Sequence, residues 1–102
     1  MAVVAQYVFR PNPGSDLNAV MERAKEAATL WRKYGAEVHL WAVSMGEIGN
    51  MAFSVHFDSF SAYAKCYDKL LVDPKFATWQ QKNLASGLSS WVRSNLAREI
   101  PI

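Results

Sequence analysis

From Val3 to Arg10 the chain reads VVAQYVFR, a run of β-branched and aromatic residues suited to a pleated strand. It stops at Pro11-Asn12-Pro13-Gly14, where two prolines block further ladder pairing. Ser15 and Asp16 then offer an N-cap. Leu17, Val20, Met21, Ala24, Ala28, Trp31 and Tyr34 follow at three- and four-residue spacing, the apolar stripe of a helix lying on a core. Gly35 suits the left-handed residue that ends such a helix.

After it, Glu37–Met45 (EVHLWAVSM) predicts a second strand, Gly46–Asn50 a turn, and Met51–Asp58 (MAFSVHFD) a third strand. The third strand alternates: Met51, Phe53, Val55 and Phe57 point one way, and Ala52, Ser54, His56 and Asp58 the other. So short a connection makes the pair antiparallel. Asp58 or Ser59 caps a second helix with a stripe of Phe60, Tyr63, Ala64, Tyr67 and Leu71. Asp73-Pro74 restarts it, and Phe76 and Trp79 continue inward. Ser86-Gly87 breaks the run, and Trp91–Ile100 (WVRSNLAREI) is a last strand. The order is βαββαβ: an α+β, ferredoxin-like domain over residues 1–102, with a four-stranded antiparallel sheet and two helices on one face.

Two helices cover only one face of such a sheet, so the placement of the other face carries the functional expectation. In the second strand Glu37, His39, Trp41 and Val43 oppose Val38, Leu40 and Ala42. In the last strand Trp91, Arg93 and Asn95 share one side, and Val92, Ser94 and Leu96 the other. An even-numbered turn between the second and third strands puts His39 across from His56 on the uncovered face, together with Trp41 and Ser54; an odd one puts Trp41 beside Val55. The even turn is expected, because it keeps Trp and His from competing with Phe53 for the helices. An uncovered face bearing tryptophans is a sticky patch on a monomer, and a second copy laid on it removes the patch, so a homodimer or a higher oligomer is expected.

The wording of one stretch adds to this. Phe60-Ser61-Ala62-Tyr63, then Leu70-Leu71-Val72-Asp73-Pro74-Lys75-Phe76, then Trp79, resembles the second helix of small dimeric α/β-barrel proteins, the NIPSNAP-like and antibiotic-biosynthesis-monooxygenase-like groups. That helix commonly ends there in a D-P-x-[FWY] step. The resemblance spans the whole chain in element order but only about twenty residues in wording, and it speaks to fold more than to activity. It implies a dimer of ferredoxin-like units whose sheets form a barrel, among whose members are cofactor-free oxygenases, isomerases and haem-degrading enzymes. The chain departs from the haem-degrading pattern: the first strand offers Gln6 where that pattern resembles an Asn, and no His follows His56. Haem degradation is therefore not carried over.

Composition narrows the classes further. Hydrophobic residues make up 51% of the 102 positions and charged ones 20%, the profile of a packed globular chain. Four Trp, four Tyr and five Phe exceed what so small a core absorbs, so some rings are expected on a partner or ligand. The net charge is +2, and Arg23, Lys25, Arg32 and Lys33 alternate with Glu22 and Glu26 as on a solvated helix face, which gives no footprint for nucleic acid. Cys66 stands alone, without disulfide or CxxC partner. Met1–Gln6 lacks the basic start and apolar run of a signal peptide, and no segment has the roughly 18 apolar residues of a span. The expected location is the cytoplasm, with no membrane partner.

His39 and His56 are the residues that titrate near neutral pH, and as a pair on one wall they suit general base and acid. Two histidines fall short of the three protein ligands of a catalytic zinc, so no metal and no cofactor is expected. Arg93 and Asn95, two apart on one strand, suit a carboxylate or a developing oxyanion. Each has a purely structural alternative: hydrogen-bonded strand histidines, a solvated or rim arginine, core tyrosines at Tyr63 and Tyr67. The expectation is a small-molecule-binding dimer with its pocket between sheet and helices, walled by His39, Trp41, Ser54, His56, Arg93 and Asn95. Cofactor-free oxygenation or isomerisation of a small aromatic or enolisable compound is the activity that strains this wall least. The alternative is a non-catalytic structural or interaction module with a filled dimer interior. No motif decides between them.

Overall fold

The structure, a computed structural model, describes residues 2–102. Seven elements follow one another: β1 (Val3–Pro11), α1 (Leu17–Lys33), β2 (Glu37–Ala42), β3 (Met51–Phe57), α2 (Phe60–Leu71), α3 (Pro74–Ser86) and β4 (Ser89–Arg98). The strands form one sheet in the order β2-β3-β1-β4, every neighbouring pair antiparallel. This is the ferredoxin-like arrangement, with the second crossover divided into α2 and α3 at Asp73-Pro74.

The expected caps are in place. Asp16 accepts from Asn18 N at 2.9 Å, Ser59 from Ala62 N at 3.0 Å, and Asp73 from Lys75 N at 2.8 Å with Pro74 at the first helical turn. Gly35 and Gly87 sit at φ +97° and +65°, where an L side chain is strained, and each follows the end of a helix.

Alternation along the strands sorts the sheet into two faces. Val3, Ala5, Tyr7 and Phe9 of β1 lie opposite Phe57, Val55, Phe53 and Met51 of β3, with Val38 and Leu40 of β2 alongside, and all of these but Val3 join the core cluster under the helices. Trp31 of α1 sits at their centre: its ring lies 6.1 Å from Tyr7, 6.1 Å from Tyr67 (stacked), and 6.5 Å from both Phe57 and Phe76. α2 contributes a different stripe from the one its largest residues suggest. Cys66 and Leu70 are buried and Tyr63 and Tyr67 half-buried, while Phe60 and Leu71 stand exposed. Both stripes satisfy helical spacing. The small Cys66 lets α2 come close, so the helix seats on the side that carries it.

The hairpin and the last strand depart from the simple pattern in two places. The β2–β3 connection, residues 43–50, has the expected even length. His39 and His56 do share a face, but the residue directly across from His39 is Ser54; His56 lies across from Glu37, one step diagonal. In β4 the pairing with β1 shifts between Val8 and Phe9, so that Val8 faces Arg93 while Phe9 faces Trp91, and Val92 is the extra residue. This bulge breaks the alternation. Trp91 therefore parts from Arg93 and Asn95 and joins the helix side, edge-on to Phe9 at 6.3 Å. No described helix covers β4, and its outer edge pairs with no other described strand.

Among the described residues no helix is long and apolar enough to cross a membrane.

Candidate functional site

The two faces of the sheet carry two different constellations. On the helix-free face, β2, β3, β1 and β4 place His39, Ser54, Gln6 and Asn95 in one cross-strand row. The row toward one end holds Trp41, Ala52, Val8 and Arg93; the row toward the other holds Glu37, His56, Val4 and Ala97. The indole of Trp41 folds over Ser54 and donates to its Oγ at 2.8 Å, and Ser54 Oγ lies 2.8 Å from His56 Nε2. The rings of His39 and His56 meet edge-on at 5.2 Å, and His39 Nε2 is 3.8 Å from Glu37 Oε1. Ser54 is only 2% exposed. Its hydroxyl bridges an indole and an imidazole.

Arg93, on this same face, pairs with Glu47 of the β2–β3 loop, which holds the Glu47 carboxyl below its ordinary value. Arg10 Nη2 donates to the Ile48 carbonyl at 3.1 Å. These two contacts fold the loop over the end of the face, above Val8. Asn50, at the end of that loop, is buried, and its Oδ1 has no hydrogen-bond partner among the described residues. Of the residues singled out in the sequence, the structure brings His39, His56, Ser54 and Trp41 into one hydrogen-bonded and ring-packed group. Asn95 shares the row across β1, and Arg93 is drawn aside by Glu47. Among the described residues no group of three or more His, Cys, Asp and Glu is placed to hold a metal ion.

The helix side holds the cavity. It is a half-open pocket of about 480 Å³ between α1, α3 and the β1–β4 half of the sheet, a size that suits a small organic ligand. Its floor is Tyr7, Phe9 and Phe53; α1 supplies Ala24, Ala27 and Trp31; α3 supplies Phe76 and Trp79, whose rings stack at 6.1 Å; Trp91 stands at the mouth. The β4 bulge makes that mouth, since a regular strand would carry Trp91 to the opposite face.

The polar groups of the pocket are donors and acceptors without a base. Gln80, Asn83, Ser89, Ser90 and Ser94 offer amides and hydroxyls. Burial, and then the bonded Tyr63 hydroxyl, push the Tyr7 phenol well above its usual value, which fixes it as a proton-bearing hydroxyl. Among the described lining residues there is no His, Asp, Glu, Lys or Cys. The expected wall and the observed one thus differ. His39, Trp41, Ser54, His56 and Asn95 lie on the helix-free face, and only Arg93, beside the bulge, reaches the pocket rim. His39 also borders a second hollow of about 410 Å³ between α1 and β2.

The sequence alone places Trp31, Trp79 and Trp91 as core or interface residues and does not single out Tyr7 or Arg23 for a site. The excess of aromatic rings is the available signal. It calls for a partner or ligand without saying which rings meet it.

Fold and pocket together define a ferredoxin-like α+β protein with a small-molecule-sized cavity between sheet and helices. The same fold is found in a NIPSNAP domain protein of Burkholderia xenovorans (TM-score 0.74, 16% identity, covering 100% of this chain and 95% of that one). It recurs in a NIPSNAP family protein of Agrobacterium tumefaciens (TM-score 0.73, 14% identity, 100% and 94%). It is shared as well by a point mutant of SnoaB, a cofactor-independent oxygenase of Streptomyces nogalater (TM-score 0.73, 13% identity, 99% and 95%). No protein-family model and no curated protein sequence matches the chain.

Proposed function

We propose that this chain binds a flat, mostly apolar organic molecule in the helix-side pocket, as a homodimer joined through the helix-free face. The observation that carries the reading is the pocket wall: stacked and tilted aromatic rings with amide and hydroxyl groups at its rim, a surface that favours a planar ring system over a flexible chain. The fold shared with a cofactor-independent oxygenase supports a small-molecule role. Oxygenation in such a pocket would draw on a substrate that ionises by itself, because the described lining holds no His, Asp, Glu, Lys or Cys.

A neutral fluorescent probe, N-phenyl-1-naphthylamine, tests the pocket. It is expected to bind with enhanced emission, and Ala24→Trp, which places an indole in the half-buried α1 wall, is expected to weaken it about tenfold or more. Replacing His39 and His56 together with Ala is expected to leave binding unchanged, since the sheet separates them from the cavity. Retained binding in Ala24→Trp, or loss in the double histidine variant, would refute the assignment.

The dimer rests on surface chemistry. Trp41 is 53% exposed on the helix-free face, and at the opposite edge of the sheet β4 exposes Val92 and Leu96 with no described helix over it. Sedimentation at micromolar concentration is expected to give twice the 11.5 kDa chain mass. Trp41→Arg, which plants an unpaired charge on that face, is expected to give the monomer. A wild-type monomer would end the dimer reading.

A further inference from the structure

The pocket carries charge of one sign only. Among its described lining residues Arg23 and Arg93 are charged, and both are cations. Arg93 borders the rim, but its guanidinium is engaged by Glu47 over the helix-free face. Arg23 differs. It projects from α1 into the wall, its side chain 25% exposed, and its Nη1 donates to Glu26 Oε1 at 3.0 Å, toward the solvent side of the helix. A guanidinium has five N–H donors in a planar fork, and that bond uses one. Its backbone is pinned as well, since the indole of Trp79 donates to the Arg23 carbonyl at 2.9 Å, which fixes this turn of α1 against α3. Gln80 and Asn83, the next wall residues along α3, bring amide donors to the same side of the cavity.

We infer that the ligand of this pocket is an anion: a flat aromatic carrying a carboxylate or a group of like geometry, its charge seated on Arg23 and its rings against Trp31, Phe76 and Trp79. The inference rests on the proposed binding role of the pocket and adds the charge class of what enters. The physical case has two parts. The described lining offers the remaining N–H donors of Arg23 and no carboxylate, because Glu26 pairs with it from outside the lining, so an anion finds a charged donor here and a cation finds no charged acceptor. A half-enclosed site also screens less than open water, so a bidentate bond from a guanidinium discriminates strongly between charged and neutral forms of one skeleton. The absence of a base in the described wall fits the same ligand, because an acid already ionised at neutral pH needs no proton removed on arrival.

Two dyes of one skeleton separate charge from shape. 8-Anilinonaphthalene-1-sulfonate is N-phenyl-1-naphthylamine with an added sulfonate. Arg23→Gln is expected to weaken the sulfonate about tenfold or more while changing the neutral dye less than about twofold; Arg23→Lys, which keeps the charge, is expected to recover most of the loss. Circular dichroism melts of the variants confirm that each is folded, and the unchanged neutral dye reports an intact cavity. If Arg23→Gln leaves the sulfonate bound as before, or weakens both dyes alike, the charge assignment is overturned while the pocket stands. If Ala24→Trp leaves both dyes bound, they sit elsewhere, and the pocket and its charge assignment fall together.

Discussion

Trp31→Ala is expected to destabilise the domain by about 3–5 kcal/mol, a large share of the roughly 5–15 kcal/mol that holds a chain of this size together. The indole is 4% exposed and touches rings from every layer around it: Tyr7 on β1, Phe57 at the end of β3, Tyr67 on α2 and Phe76 on α3. No neighbour is free to collapse into the space, because each is anchored by its own strand or helix, so the loss combines transfer of a large ring with a cavity left behind. The melting temperature should fall by about 12 °C or more. Trp31→Phe, which keeps a ring in place, should retain most of the stability. The same side chain forms the inner wall of the pocket, so Trp31→Ala should also loosen dye binding at temperatures where the variant is still folded. Urea unfolding of the three proteins checks the order, and a loss below about 1 kcal/mol in Trp31→Ala would contradict the central placement of this ring.

The second large effect is set by pH. Asp73, 7% exposed, receives three donors: the Tyr34 hydroxyl at 2.6 Å, the Lys75 backbone N–H at 2.8 Å and the Lys33 ammonium at 3.3 Å. The Tyr34 bond most of all, then the Lys75 N–H and Lys33, hold its carboxyl below the ordinary carboxylate range. A carboxyl depressed in the fold stabilises above its unfolded value of about 3.9, and that contribution disappears as pH falls from there through the folded value. Bonding to Asp73 raises the Tyr34 phenol, which has the opposite sign: its contribution is present below about pH 10 and disappears as pH rises past it. The latch therefore acts between these limits. Asp73→Ala also removes the N-cap of α3, and it should lower the melting temperature by about 5–10 °C at pH 7. The gap from wild type should narrow toward that of Asp73→Asn as pH falls below about 3.9 and through the folded value, since the protonated carboxyl loses its charge and keeps a capping oxygen. Asp73→Asn keeps a capping oxygen without the charge, so it should fall between the two and vary less with pH. A gap of constant size from pH 7 down to about pH 2 would show that the carboxylate contributes by shape alone. Because the latch joins the end of α1 to the start of α3, it also sets the spacing of the two helices that wall the pocket.

Much of this fold was legible along the chain because its signals are local. The alternation of Met51, Phe53, Val55 and Phe57 decided a face by itself, and Asp73-Pro74 marked a helix start by chemistry that needs no distant partner. The even hairpin put His39, Trp41, Ser54 and His56 together on the helix-free face. What escaped was set by contacts between distant segments. The extra residue at Val92 leaves no mark in the pattern of β4, yet it carries Trp91 to the other side of the sheet. The seating of α2 turned on Cys66, a small side chain that spacing alone could not rank above Phe60. The pocket itself is made by Tyr7, Arg23, Trp79 and Trp91, which stand on four different elements, and none of them announces a site before those elements meet. The histidines drew attention for their chemistry; the cavity formed on the face they do not occupy.

The loop after β1 ties down the connection that leads into β4. Asn12 donates from its backbone N to the Leu88 carbonyl and from Nδ2 to the Gly87 carbonyl, both at 2.8 Å, and Ser15 Oγ donates to the same Leu88 oxygen at 2.8 Å. Ser90 returns a bond to Asn12 Oδ1 at 2.7 Å. Together with the pairing of Val3–Pro11 with Ser89–Arg98, these contacts marry the earliest strand of the domain to its last. On the ribosome, β1 can find β3 early, but its other edge stays vacant until Ser89–Arg98 has left the exit tunnel, so the sheet closes only once every other element has been made. A message cut short just ahead of those codons would thus yield a chain with nearly all of its hydrophobic core and the long edge of β1 left bare, a form suited to disposal or clumping and not to partial service.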